Sequence, residues 1–327
     1  MLRVGLIGCG FMGTMHANCY KNIENVKVTA FADIRPEKAN ALAEGTDAVI
    51  YGDGKDLIAN ADVDVIDICL PTYLHAEYAL AAMKKVKYVF VEKPVTLTVE
   101  ESEALLKSSA ELGCNVQVGQ VIRFWDEYVA LAEIVKSGKY GKVVNANFRR
   151  LSPRPDWGWD NWLLDTPRSG GAGQDLHIHD ADFVLSLFGE PKNIYSVKNK
   201  IGEMNSYINT AMIYDDFVVT TEGTWDLPGT RPFEASFRVV FEKAVVENGA
   251  NGFMLYTNDK AEKIEIEKKE LVGAVTGGNL SDLGGYYNEL LYFCGQAQAG
   301  APIEKATLKD GAASLKFVVE KELNYNA

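Results

Sequence analysis

The sequence predicts an α/β chain that opens on a doubly wound parallel sheet and continues into a region of antiparallel or mixed sheet. Three observations predict it. Short apolar runs alternate with helical spacing through the first third of the chain. A glycine-rich turn joins the first run to the first helical pattern. After about Gln120 the texture changes, and strands follow one another with few helices between them. At 327 residues the chain exceeds what one hydrophobic core usually serves, so two domains are expected, residues 1–122 and 123–327.

The first-domain strands are Leu2–Ile7, Val26–Ala32, Val65–Leu70 and Tyr88–Val91. They read as near-continuous apolar runs, as strands do when both faces of a parallel sheet are covered. Gly13–Lys21, Pro36–Ala43, Tyr73–Lys84 and Val99–Leu112 carry helical spacing between them. A helix over Asp126–Ser137 ends near Gly138, and Val143–Arg149 reads as a strand. An irregular stretch with Trp157, Trp159 and Trp162 follows, then several strands from Asn193 to Glu267. Helices over Asp282–Ala299 and Thr307–Leu323 close the chain. Val218, Phe237, Val239 and Phe241 alternate on their strands, which suits a sheet packed on another subunit or covered by its own helices.

Composition narrows the class. Hydrophobic residues make up 47% and charged residues 24%, the balance of an ordinary globular protein. The net charge of -12 argues against nucleic acid, which needs clustered Lys and Arg. No apolar run approaches membrane-spanning length, and Met1–Ile7 leaves no room for a signal peptide. Five scattered cysteines without a CxxC pair suit a reducing cytoplasm.

Gly8-Cys9-Gly10-Phe11-Met12-Gly13 is a full GxGxxG between a strand and a helical pattern. Gly8 permits the tight turn, Gly10 lets the backbone approach a pyrophosphate, and Gly13 lets helix and strand pack closely. Asp33 ends the second strand, twenty residues past Gly13, where a carboxylate accepts hydrogen bonds from an adenosine ribose diol and repels a 2′-phosphate. The pattern indicates NAD. Arg35, two residues on, keeps NADP open by offering a partner to that phosphate. The plainer reading makes the glycines a turn and Asp33 a helix cap ahead of Pro36.

Further signatures follow in order. Pro71-Thr72 comes after the Val65–Leu70 strand, with His75 three residues beyond Thr72. Glu92-Lys93-Pro94 ends the Tyr88–Val91 strand, and Arg123-Phe124 follows Gly119-Gln120. Ser169-Gly170-Gly171 leads into Asp175-Leu176-His177-Ile178-His179-Asp180. Together these resemble the Gfo/Idh/MocA family, over essentially the whole chain. The resemblance implies a Rossmann domain followed by an α/β domain on a large open, mostly antiparallel sheet. It also implies Lys93, Asp175 and His179 as catalytic positions, and a homodimer or homotetramer formed through that sheet. Pro71, Thr72, His75 and Glu92 then fall on the cofactor side, and Arg123 at a substrate contact. Pro94 is expected to follow a cis peptide. Val86 and His177 depart from the family pattern, each standing where glycine is usual.

The chemistry reads in the same direction. Oxidising a carbinol needs a base, and a neutral imidazole such as His179 titrates near working pH. In a helix from Gln174 onward, Asp175 and His179 share one face, so Asp175 can hold substrate hydroxyls or orient the ring. Lys93 lies at the carboxyl end of a parallel strand, where its ammonium can stabilise a developing alkoxide. The rival readings are a solvated strand end for Lys93, a satisfied buried ring for His179 and an N-cap for Asp175. Asp175, His177 and His179 also suggest a metal site if the segment is extended, but the helical pattern over Ala181–Leu187 opposes it, and no metal is expected. Trp157 and Trp162 can stack on a sugar face or simply pin their loop, and Tyr286 opens a late helix bordering the pocket. The expectation is an NAD-linked dehydrogenase of a sugar, sugar derivative or cyclitol. The alternatives are an enzyme of transient redox acting on glycosides, and a non-catalytic NAD or sugar sensor.

Overall fold

In the computed structural model, residues 1–202, 204–267, 271–273 and 283–325 are described. The first six strands, β1 (Leu2–Ile7), β2 (Val26–Ala32), β3 (Val49–Tyr51), β4 (Val65–Ile68), β5 (Tyr88–Glu92) and β6 (Asn115–Gly119), form one all-parallel sheet. Its order, β3-β2-β1-β4-β5-β6, reverses direction between β1 and β4. That reversal is the switch point where open α/β sheets take their ligands. β4 and β5 are buried along their whole length because helices cover both faces. The crossovers are α1 (Phe11–Tyr20), α2 (Pro36–Ala43), α3 (Gly54–Asn60), α4 (Thr72–Lys85) and α5 (Val99–Leu112). Thr98 and Glu101 close a reciprocal capping box at the start of α5, and Gly113 ends it in the left-handed region.

α6 (Asp126–Ser137), β7 (Val143–Pro153), the short α7 (Thr166–Ser169) and α8 (Ile178–Phe188) begin the second unit. Seven strands follow: β8 (Asn193–Ile201), β9 (Met204–Ile213), β10 (Val218–Leu227), β11 (Glu234–Phe241), β12 (Val245–Gly249), β13 (Gly252–Tyr256) and β14 (Ala261–Lys263). With β7 they make an eight-stranded sheet, β14-β13-β12-β11-β7-β10-β9-β8, antiparallel except where β10 pairs parallel to β7. Its inner face holds Phe148, Phe237, Val239 and Phe241. Tyr128 of α6 sits edge-on to Phe237 and to Phe183 of α8, so this face is covered by the chain's own helices. Val218 lies on the opposite, half-exposed face.

The last helices, α9 (Gly284–Ala299) and α10 (Leu308–Lys316), correct the expected division of the chain. The chain does not stay in a second domain over 123–327. One unit comprises Met1–Val121 with the described part of Lys269–Ala313, and the other Ile122–Lys268 with Ser314–Ala327. α9 returns to pack on α1 and brings Phe293 edge-on to Phe90 of β5. Asp282, the expected start of this helix, lies outside the described residues. The helix expected over Thr307–Leu323 is α10 continued by a π-helical turn, Phe317–Leu323. Among the described residues, no helix is long and apolar enough to cross a membrane.

Candidate active site

The glycine loop separates three steric demands. Gly8 has φ +94°, and a Cβ there would lie 2.4 Å from the Cys69 carbonyl oxygen. A Cβ on Gly13 would lie 1.8 Å from the Gly8 carbonyl oxygen. Both glycines are therefore required by the protein itself. Gly10 is different, since the nearest atom to its Cβ would be an Arg35 guanidinium nitrogen at 3.7 Å. Its bareness serves whatever approaches the loop, as the dinucleotide pattern demands. Gly10 is also the N-cap of α1 and offers no side-chain cap, so Phe11, Met12 and Gly13 open a helix that no side chain caps.

Asp33 stands beside this loop at the end of β2. Its carboxylate accepts the Cys9 N–H at 2.8 Å, and the Arg35 backbone and guanidinium at 2.8 and 3.0 Å. Burial alone would raise this carboxyl, but the Arg35 and Cys9 hydrogen bonds outweigh it and hold it below the usual range. Arg35, expected to meet a 2′-phosphate only by swinging over, is folded back onto Asp33.

At the carboxyl ends of β4 and β5 the expected residues divide. Pro71 caps α4. Thr72, His75 and Glu92 are buried, as Asp33 is. His75 ties the two strand ends together, with Nδ1 2.7 Å from the Pro94 carbonyl and Nε2 2.7 Å from that of Leu70. Burial pulls this imidazole below its ordinary value, against the pull of the two carbonyls. The Lys93–Pro94 peptide is cis, and Lys93 is half-buried directly after β5. Tyr286, in the first turn of α9, is buried with its ring 6.4 Å from that of His16.

In the second unit Ser169-Gly170-Gly171 makes a turn that only glycine fits. Both glycines have positive φ; a Cβ on Gly170 would overlap the Gln174 side chain, and one on Gly171 would lie 2.7 Å from the Asn205 carbonyl oxygen. The turn launches a π-helical segment, Gly173–His177, that runs straight into α8. Asp175 is therefore not an N-cap but sits inside the π-turn, half-exposed, and His179 follows in the first turn of α8. Such single π-turns mark functional sites often enough to make this one a candidate.

His177 is not gathered with them. It is fully buried, with Nε2 3.1 Å from Glu322, and Gly223 of β10 leaves the room it fills. Burial would lower its pKa, but the Glu322 carboxylate more than offsets that and holds the ring above its ordinary value. The metal alternative fails here because its central member faces Glu322.

The same helix carries two acids that sequence reasoning missed. Asp180 takes a fork from Arg150, and Asp182 takes one from Arg123 at 2.6 and 2.7 Å as well as the Ser314 hydroxyl at 2.6 Å. Arg123, expected at a substrate contact, is thus held against a buried carboxylate. The signal was present, since aspartates two apart in an apolar helix require partners. Trp162 packs on a cluster of Leu163, Ala172, Leu176, Met204 and Trp225, pinning its loop, whereas Trp157 and Trp159 stay exposed.

Residues 2–120 match the family model described as oxidoreductase family, NAD-binding Rossmann fold. Residues 128–247 match that of the GFO/IDH/MocA C-terminal domain. Myo-inositol 2-dehydrogenase of Thermotoga maritima is 31% identical over 194 residues, covering 58% of this chain and 55% of that protein. The 2,7-anhydro-N-acetylneuraminate hydratase of Escherichia coli is 28% identical over 196 residues, covering 58% and 50%. The matches thus span about half the length of these curated relatives. Levoglucosan dehydrogenase, solved with NADH and levoglucosan, superposes with a TM-score of 0.83 at 21% identity, covering 99% of this chain and 97% of that one.

Proposed function

Because this chain belongs to the Gfo/Idh/MocA oxidoreductase family, whose NAD-binding Rossmann domain matches its residues 2–120, we propose that it dehydrogenates a secondary hydroxyl of a sugar, sugar derivative or cyclitol. The observation that carries this reading is the place of Lys93. It follows β5, two strand spacings, or about 10 Å, from the Gly8–Gly13 loop behind β1. The glycine loop and residue Lys93 therefore share one edge of one sheet, the edge where dinucleotides bind.

Gly10, the open end of α1 and Asp33 would hold the dinucleotide. NAD, when bound, supplies the hydride acceptor for the carbinol carbon. His179 takes the hydroxyl proton as that carbon is oxidised, and returns it in the reverse direction. The Lys93 ammonium stabilises the oxyanion, and Asp175 holds neighbouring hydroxyls. Trp157 offers an exposed indole to a sugar face.

The test is NADH formation from NAD with a panel of inositols, aldoses, amino sugars and sugar acids, with NADP in parallel. Turnover on one substrate class is expected, reduced at least a hundredfold in Lys93→Ala and in His179→Ala, with NADH binding retained. Equal turnover in Lys93→Ala would remove it from catalysis. A second reading has one observation behind it, the hydratase among the relatives. An enzyme of transient redox would hold its cofactor tightly, convert substrate and release no NADH, and the same panel read by product analysis separates the two. For assembly, the family resemblance supports a homodimer or homotetramer through the second sheet, whose outer face exposes Tyr195 and Val197. Light scattering on the purified chain checks it.

A further inference from the structure

Directly behind Lys93 lies a buried charged cluster that the proposed reaction does not use. His16, on α1 three residues past Gly13, is fully buried between two carboxylates. Its Nδ1 is 2.8 Å from Asp67 and its Nε2 is 3.0 Å from Glu92 Oε1. A neutral imidazole would donate to one carboxylate and turn a lone pair on the other, so this geometry calls for the imidazolium. Asp67 also accepts the Tyr20 hydroxyl at 2.9 Å and lies near the Cys69 thiol. The other oxygen of Glu92 accepts the backbone N–H of Lys93 at 3.0 Å. Gly119 on β6 makes space for this arrangement, since a Cβ there would stand 2.9 Å from Glu92 Oε2. Glu289 of α9 shares the enclosure, and burial beside Glu92 pushes its carboxyl well up, toward the neutral form.

A buried ion network is weak evidence for stability, because apolar side chains of similar volume usually serve the fold as well. Its position at the strand end that carries Lys93 suggests orientation instead. We infer that His16 is a positioning residue for Lys93. By clamping Glu92 against Asp67 it fixes the carboxylate that receives the Lys93 N–H, and so the point from which the ammonium reaches the substrate oxygen. The inference rests on the dehydrogenase reading above, because it needs Lys93 to act on substrate.

Two substitutions separate positioning from mere packing. In His16→Gln the side-chain amide reaches about as far as Nε2 and can still donate to Glu92. In His16→Asn it reaches about as far as Nδ1, serves Asp67 and leaves Glu92 undirected. Displacing a reacting group by about 1 Å can cost on the order of a hundredfold in rate. A kcat loss of that order is expected for His16→Asn at saturating NAD and substrate, and a loss under about tenfold for His16→Gln. NADH affinity by fluorescence titration should stay at the wild-type value in both. Equal losses in the two variants, or wild-type kcat in His16→Asn, would overturn the inference. If His16→Asn melts too low to assay, Glu92→Gln replaces it, since its amide can accept only one of the two donors. There too kcat should fall with NADH affinity kept, and wild-type kcat would overturn the inference. Lys93→Ala is run beside them. If it retains turnover the dehydrogenase reading itself fails, whereas loss there with wild-type kcat in His16→Asn sinks only the role of His16.

Discussion

Asp33 and Arg35, two residues apart, are locked together at the end of β2. The guanidinium that would favour a 2′-phosphate is turned onto the carboxylate that would repel one. Removing the carboxylate therefore does two things at once: it deletes the ribose acceptor and releases Arg35. Asp33→Ala is expected to lower kcat/KM with NAD by about tenfold or more, the worth of a hydrogen bond to a charged group, and to raise it with NADP. Steady-state kinetics with both cofactors check this, and an unchanged ratio would mean that Asp33 does not discriminate. At this scale the sequence was legible where a local motif fixes a local structure: the glycine loop opening α1, Asp33 at the end of β2, Lys93 directly after β5, and Asp175 with His179 where the π-turn runs into α8. It was illegible where partners come from distant segments. Nothing near Arg123 announces Asp182, and nothing near His177 announces Glu322. Thr72, His75 and Glu92 lie in the right motifs, but their burial depends on packing that spacing does not express.

Among the elements, the π-turn before α8 joins sequence to site most directly. It is tied to the closing π-turn, Phe317–Leu323, by the His177–Glu322 pair, both fully buried. The folded ring holds its proton above the ordinary value near 6.5. Its stabilisation is thus fully present below about pH 6.5 and is lost as pH rises through the folded value. Wild type and Glu322→Gln, melted across a range of pH, should differ most in Tm near pH 6 and progressively less as pH rises above it. A gap that widened with pH would show that the pair is not charged as described. Long, strongly periodic elements such as α5 and α8 were readable from spacing. β3 escaped because three exposed or half-exposed residues on a sheet edge leave no pattern, and α3 because seven residues are two turns.

For the whole molecule, the return of α9 to the first unit was hidden for another reason. A contiguous boundary is the simplest reading of a change in texture, and no composition shift marks the way back. Leu290, Phe293 and Cys294 of α9 are completely buried. At roughly 1.5–3 kcal/mol for each large side chain, their loss approaches the 5–15 kcal/mol that keeps an average domain folded. A fragment of residues 1–122 is accordingly expected to show no cooperative thermal transition by circular dichroism, whereas the full chain does. A sharp melt near that of the full chain would mean that the first unit does not depend on α9.

β7 has its own position in time. It occupies the middle of the second sheet, yet both strands that flank it, β10 and β11, come later in the chain. On a ribosome adding roughly 5–20 residues per second, its edges wait on the order of ten seconds before Phe241 has been made. Ala146, Phe148 and Leu151 belong to the finished core but are exposed throughout that interval. The newborn chain is open to mispairing there, so the strand that later anchors the sheet is the one that a fast ribosome or a chaperone protects.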